Sequence, residues 1–452
     1  MTKFFGTDGI RGESDLFSPS FVSKILNGIF EKISETKKNE DITVLVGGDT
    51  RESTKKIIEY VYSYCNYCNV KFINAGILPT PALSCLVKKS KADVGICITA
   101  SHNPFYDNGI KIFSSSGEKI DEEFELFIEN ILNGPNEETN YPLLGYPLYD
   151  KDVIIPYVNH VINYIDINQS DLKIGVDCAN GASSNIAKII FEKLGLNVKM
   201  TNDNKNYGRG INENCGSTHI ATIKKFVIDN SLDLGIAYDG DADRALLVDN
   251  EGNLVDGDKM VVIIANYLKS IGELRNNAFV VTEVTNPGIL EYANAYKMKA
   301  YVVPVGDINV KNKVTKENLS VGGEQVGHVL LPNQDSDDGI LTSLFMIMIL
   351  IKTKKTLKKL ADEIILFPQT SSNIEANSEE KAFLEKDIIY NNIIKKYKKI
   401  ITKNGGKISI RPSGTQDLIR VTIWSKEKEK IEEWSKAISR EIRNRLSTVN
   451  NS

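Results

Sequence analysis

Cysteine is scarce in this chain, with six in 452 residues and no dense spacing pattern. That excludes a disulfide-stapled scaffold and fits reduced thiols. Cys65 and Cys68 form one C-x-x-C, but no second pair follows, so zinc and redox roles find no support. Both are expected as partly buried thiols in a tyrosine-rich, helical segment. A strong charge of one sign is also missing. The 55 Lys and Arg against 59 Asp and Glu leave −4, which gives no global field for nucleic acid or an anionic membrane. Any anion site must be built locally. Long apolar runs are absent too. The most apolar stretch, residues 340–351, is too short to span a bilayer and carries Thr342 and Ser343, so a buried helix is expected there. The first residues lack a signal-peptide layout, and a cytoplasmic chain without a membrane partner is the expectation.

What is present is enough chain for roughly three or four domains of ordinary size. Short β-prone runs alternate with amphipathic stretches. Residues 43–49, 70–74 and 94–99 read as strands around a helix at 53–64, which is a βαβ pattern. The pattern restarts with strands at 172–177, 197–200 and 234–238 and a helix at 182–194. It restarts again with strands at 278–282 and 300–303 and a helix at 288–296. Three similar mixed α/β domains are therefore expected, over 1–147, 148–254 and 255–367. A smaller α+β domain over 368–452 follows, ending in a helix from about Glu427.

The densest chemistry lies at Ile96-Cys97-Ile98-Thr99-Ala100-Ser101-His102-Asn103-Pro104, where an apolar strand runs into a polar corner. Asp107-Asn108-Gly109 is expected to reverse the chain through an Asn-Gly turn and bring Lys111 back toward Ser101. A serine needs a base or a prior modification to react, and a nearby cation suits one that carries phosphate. Taken alone, the corner reads equally well as a turn with a helix cap.

Asp239-Gly240-Asp241-Ala242-Asp243-Arg244 follows a strand and presents three hard carboxylates around two small residues, which suits Mg²⁺ or Ca²⁺. An EF-hand is excluded, because Arg244 and Asn250 stand where that loop needs glycine and glutamate. Gly322-Gly323-Glu324-Gln325-Val326-Gly327-His328 sets three polar side chains among glycines, fit for a polyol. Arg411-Pro412-Ser413-Gly414-Thr415-Gln416 with Arg420 offers hydroxyls, a close backbone approach and two guanidinium forks, fit for a phosphate monoester. There is no Walker loop. Arg11, in the glycine-laced segment 5–12, is a further cation for a phosphoryl group on Ser101. One phosphate site serves a kinase or phosphatase. Two sites fit a mutase in which Ser101 gives phosphate to a sugar and takes the other back.

Five segments, in order, make the chain similar to the α-D-phosphohexomutase superfamily: FGTDGIRG at 5–12, ASHNPFYDNGIKIF at 100–113, DGDADR at 239–244, GGEQVGH at 322–328 and RPSGTQDLIRV at 411–421. The first two and the GGEQ start of the fourth resemble the glucosamine branch more than the glucose/mannose branch. The resemblance implies four domains around a central cleft, and one Mg²⁺ per subunit held by Asp239, Asp241, Asp243 and a phosphorylated Ser101. It implies His102, Lys111, Arg11 and Arg244 as further catalytic groups. Glu324, Gln325, Val326, His328, Arg411, Ser413, Gly414, Thr415 and Arg420 become the substrate contacts. The implied reaction interconverts glucosamine 6-phosphate and glucosamine 1-phosphate through a sugar bisphosphate, an isomerase step feeding UDP-N-acetylglucosamine and cell-wall precursors. The partners are then hexosamine phosphates, not nucleic acid or membrane, and a homodimer is compatible.

Three departures bear on sugar choice and phosphate binding. Val326 stands where the family carries serine, Ile308-Asn309 where this branch carries Arg-Tyr, and Gln416-Asp417 where it carries Glu-Pro. Ala242 replaces a glycine and is expected at negative φ. Two other readings stay open at this stage: a phosphoglucomutase or phosphomannomutase, and a sugar-phosphate-binding regulator without catalysis. A Ser-His hydrolase lacks its G-x-S-x-G elbow.

Overall fold

The computed structural model describes residues 3–6, 8–37, 41–135, 140–167, 170–412 and 417–450. Three of its sheets share one strand plan. In the first, Thr43–Gly48 lies between the parallel strands Lys71–Ile77 and Val94–Ile98, and Asp107–Ser114 runs antiparallel beside the latter. In the second, Ser170–Asp177 lies between the parallel strands Leu196–Thr201 and Leu234–Tyr238, with Ala245–Asp249 antiparallel beyond. In the third, Ala278–Thr282 lies between the parallel Lys299–Val303 and Gly322–Gly323, with Val329–Leu330 antiparallel. The expected restarts of the pattern are thus three copies of one plan. The fourth sheet is a fully antiparallel set of Gln369–Glu375, Leu418–Trp424 and Lys407–Pro412, backed by helices Ile388–Lys403 and Lys428–Asn450.

The shared plan has a direct consequence for function. In each α/β unit the turn from third to fourth strand is the segment carrying unusual chemistry: 99–106 with Ser101, 239–244 with the aspartates, and 324–328 with Glu324. A reversal from a parallel to an antiparallel strand ends the ladder, so its residues are free to face a cleft.

The first three units share a continuous core. Leu83 and Leu86 of helix Thr80–Ser90, Tyr157 and Val161 of helix Ile155–Tyr164, and Ile340 and Leu344 of helix Gly339–Thr353 are all buried in it. The last helix is apolar on every face, as its composition predicts, and Asp338 caps it by accepting from Leu341 N at 2.9 Å. Each of its large side chains contributes about 1.5–3 kcal/mol by leaving water. The fourth domain keeps its own core around Ile401, Ile423 and Ile438. Among the described residues, no helix is long and apolar enough to cross a membrane.

Three local expectations are corrected. Asp107-Asn108-Gly109 is not a turn but the start of strand Asp107–Ser114. Gly109 is needed for space instead, since a Cβ there would meet Thr99 O at 2.4 Å. Ala242 has φ +55°, not a negative value, so an alanine occupies the left-handed region. Cys65 is buried as expected, but Cys68 is exposed at the helix end.

Candidate active site

Ser101 sits at the corner after strand Val94–Ile98, fully buried, with φ +51°. A side chain is held in that region only when its surroundings fix it. Here the fixing group is Arg51, a residue the motif reading passed over. Its Nη2 donates to the carbonyls of Ser101 at 3.0 Å and Asn103 at 2.9 Å, and its Nη1 to Asp107 O at 2.9 Å and Pro104 O. Its Nε donates to Asp49 at 2.9 Å, and Asp49 in turn accepts from Thr99 Oγ1 at 2.7 Å. Asn212, from the second domain, also donates to Ser101 O at 2.9 Å. The corner is therefore clamped through its carbonyls, leaving the hydroxyl free to turn inward.

Ser101 Oγ donates to Asp239 Oδ2 at 2.8 Å, across a separation of 138 residues. Asp239, Asp241 and Asp243 bring ligand oxygens within 4.8 Å of one another. Lys111 lies among them, with Nζ 2.8 Å from Asp241 Oδ2, 3.0 Å from Asp243 Oδ2 and 2.8 Å from Asp8 Oδ2. Thr80 also donates to Asp241 Oδ2 at 2.5 Å. The other oxygens, Asp241 Oδ1 and Asp243 Oδ1, are buried with no hydrogen-bond partner. Two orphaned hard oxygens beside Asp239 are the donor set a divalent cation takes, and burying them without one is costly. The cluster can hold a metal ion.

Electrostatics agree with a cluster short of positive charge. Burial, then Asp243 and Asp241, push the Asp239 carboxyl well above its ordinary range. Burial also raises Asp243, but the Lys111 ammonium, with Arg244 nearby, outweighs it and holds that group down. For Lys111, burial disfavours the ammonium while Asp241 and Asp243 more than restore it. His102, whose Nδ1 is 3.4 Å from Ser101 Oγ, is lowered to about 3 by burial and then by Arg244 and Arg11, so it is neutral near pH 7.

The third domain reaches this centre with the buried His328, whose Nδ1 lies 3.9 Å from Asp243 Oδ1; in the same turn Glu324 is buried and Val326 is 47% exposed. Glu324 Oε1 accepts from Gly306 N at 2.9 Å, so the loop of Asp307 and Ile308 orients it. Gln325 Nε2 donates to Asp256 Oδ2 at 3.2 Å. His328 bonds Asp337 through Nδ1, and its Nε2 accepts from Arg244 Nε at 2.8 Å. Burial works against a charged imidazole, but Asp337 and Asp243 raise it to about 10. The Arg244 bond needs a lone pair on Nε2, so an imidazolium forms only as Arg244 leaves. Asp8, Arg51 and Asp337 were invisible as site residues, because their partners are brought by folding, not by spacing.

On the fourth domain, Arg411 and Arg420 stand directly opposite each other in adjacent antiparallel strands. Like charges in that register repel. Neither guanidinium has an ion pair or hydrogen bond with the described residues, which suits a pair kept for an anion. Burial, then Arg420, lowers Arg411. Ser413, Gly414 and Thr415, also expected to contact substrate, lie outside the described residues. Arg11 bonds Asp8 rather than any group of the serine loop.

Sequence profiles of the phosphoglucomutase/phosphomannomutase α/β/α domains I, II and III match residues 2–139, 155–252 and 256–366, and the profile of the C-terminal domain matches 371–441. The phosphoglucosamine mutase of Carboxydothermus hydrogenoformans is 38% identical over 93% of this chain and 95% of its own length. That of Ruminiclostridium cellulolyticum is 36% identical over 99% of this chain and 100% of its own. A phosphoglucomutase/phosphomannomutase family protein from Burkholderia thailandensis has the same fold, with a TM-score of 0.75 at 19% identity over 98% of this chain and 97% of that one. The Aspergillus fumigatus N-acetylphosphoglucosamine mutase, solved with GlcNAc-6P and magnesium, aligns at a TM-score of 0.65 and 17% identity, covering 98% and 96% of the two chains. With its four domains matched in order over almost its whole length, this chain belongs to the phosphoglucomutase/phosphomannomutase family.

Proposed function

We propose that this protein is a phosphoglucosamine mutase, interconverting glucosamine 6-phosphate and glucosamine 1-phosphate through a phosphorylated Ser101. The observation that carries the reading is the Ser101 hydroxyl on Asp239, inside a three-aspartate cluster with two orphaned oxygens. In the reaction the Oγ–P bond of phosphoserine breaks as a sugar hydroxyl oxygen bonds to phosphorus and gives up its proton. The sugar bisphosphate turns over, and its other phosphate returns to Oγ by the reverse exchange. Asp239, Asp241, Asp243 and the phosphoserine would hold Mg²⁺, which would supply charge neutralisation at the transferring phosphoryl group. Three carboxylates and a phosphoserine carry about −5, against +2 from Lys111 and Arg244, so a divalent cation balances most of the remainder. His102 stands beside Oγ as an uncharged imidazole able to pass a proton. Arg411 and Arg420 bind the phosphate that is not reacting.

Sugar choice follows from charge. Glu324 is an anion that pairs better with the 2-ammonium of glucosamine than with a 2-hydroxyl. Val326 forgoes a neutral hydrogen bond worth only about 0.5–1.5 kcal/mol. The test is kcat/KM on glucosamine phosphate and glucose phosphate. The expected result is a preference for the amino sugar that Glu324→Gln flattens. Equal or reversed values in the parent protein assign a general phosphohexomutase instead. We place the enzyme in the cytoplasm, as its substrates require. Light scattering against a chain mass of 50.3 kDa reads whether it forms a homodimer.

A further inference from the structure

We infer that Lys119 is a positioning residue that ties the sugar loop of the third domain to the serine pocket of the first; this rests on the mutase reading above. The strand that delivers Lys111 to the aspartates, Asp107–Ser114, turns at Ser114–Glu118, and Lys119 bridges back onto Phe113. One hairpin therefore fixes both lysines. Lys119 Nζ lies 2.6 Å from Asp8 Oδ1 and 2.6 Å from Asp307 Oδ2. Asp8 holds Lys111 through its other oxygen at 2.8 Å and also pairs with Arg11. On the far side, Asp307 follows Gly306, whose N–H donates to Glu324 Oε1 at 2.9 Å. The contacts run from the aspartate cluster through Lys111, Asp8, Lys119 and Asp307 to the loop that carries Glu324.

The three ion-pair partners are only 18–27% exposed on their side chains, so solvent screens them less than an ordinary surface bridge. A second crossing pair, Lys311 with Glu118 at 2.7 Å, is half exposed on the glutamate and contributes little. Ser101 and Glu324 belong to different domains, and transfer needs the sugar hydroxyl about 3–3.5 Å from phosphorus. The shared core fixes the domains as wholes, and Lys119 sets the last part of that spacing by holding the Gly306–Asp307 loop against the serine pocket. It also keeps the bisphosphate bound while it turns. If the contact loosens, the bisphosphate leaves and Ser101 is left without phosphate.

The test compares the parent with Lys119→Met, Lys119→Arg, Asp307→Asn and the Lys119→Met/Asp307→Asn double variant, with circular dichroism melting to confirm folding. Lys119→Met is expected to lose about 10²-fold in kcat, the scale of a 1 Å misplacement, with KM changing far less. Its remaining activity should depend on added glucosamine 1,6-bisphosphate, which a merely structural bridge would not produce. Lys119→Arg should recover most of the loss, and the double variant should be no worse than the poorer single one. A folded Lys119→Met with parental kcat and no bisphosphate dependence overturns the inference. Should Lys119→Met fail to fold, parental kcat in both Lys119→Arg and Asp307→Asn overturns it. A parent protein inactive on glucosamine phosphate overturns the mutase reading instead.

Discussion

Asp241 divides its two oxygens between different tasks. Oδ2 takes Lys111 and Thr80, which fixes the carboxylate, and Oδ1 is left buried and unpaired. Asp241→Asn keeps the shape and removes the anion. It should leave the melting temperature within a few degrees and lower kcat by at least about 10²-fold, the scale of losing one preorganised electrostatic group. Magnesium titration of activity should shift to higher concentration in parallel. The neighbouring Ala242 makes a prediction about stability. Its left-handed backbone costs about 1–2 kcal/mol for a residue with a Cβ. Glycine removes that strain but returns about 0.4–1 kcal/mol of unfolded-state entropy. Ala242→Gly also gives up a methyl buried in the shared core, about 0.8 kcal/mol, so the three contributions nearly cancel and the urea midpoint should move by less than about 1 kcal/mol in stability. At this scale, motif reading found Ser101, Lys111 and the aspartates because their chemistry is concentrated in short segments. Asp8, Arg51 and Asp337 escaped it, since each looks like an ordinary charged residue until folding supplies its partner.

Strands and helices were legible where apolar periodicity was strong, as in the runs that became Leu234–Tyr238 and Ala278–Thr282. The Asn108-Gly109 pair misled because local turn preference competed with a sheet that needs those residues extended. Asn108 satisfies its side chain on Ser53 Oγ at 2.7 Å instead. The recurrence of the functional loops at the third-to-fourth strand turn was not legible either, because strand order is a property of pairing. Helix Gly257–Ser270 shows how an element carries its own pH response. Asp258, buried in its first turn, accepts from Thr285 Oγ1 at 2.9 Å and Asn286 N at 3.0 Å. Burial, then Asp256, raises its carboxyl from an ordinary 3.8 to about 7. A raised acid favours the folded state at low pH, and that contribution is lost as pH climbs from about 4 to about 7. Asp258→Asn mimics the protonated form. Its stability relative to the parent should rise across that window and level off above it, by at most about 4 kcal/mol. Urea midpoints at pH 4.5, 6 and 8 check this, and an unchanged difference across the three would refute it.

Across the whole molecule, Ser101, the three-aspartate cluster and Glu324 come from the third-to-fourth strand turns of three sheets, and Arg411 and Arg420 from adjacent strands of the fourth. The first three rest on a shared core, which holds Ser101 and Asp239 in hydrogen-bond contact despite their separation in sequence. The arginine pair rides on a domain with its own core, joined where Asn286 bonds Phe367 N at 2.8 Å and Phe367 O at 2.9 Å. Composition gives no net field for anions, and the positive charge is local instead, with Lys111 and Arg244 beside the aspartates and Arg411 opposite Arg420 on the fourth sheet. Everything in the proposed reaction turns on Ser101 lending its phosphate to the sugar. Protein carrying ³²P on Ser101 should be mixed with glucosamine 6-phosphate and Mg²⁺ and quenched within a single turnover. Label should leave Ser101 and appear in sugar bisphosphate and glucosamine 1-phosphate, and Ser101→Ala should take up no label. Label that stays on the protein, or passes to inorganic phosphate alone, would contradict it.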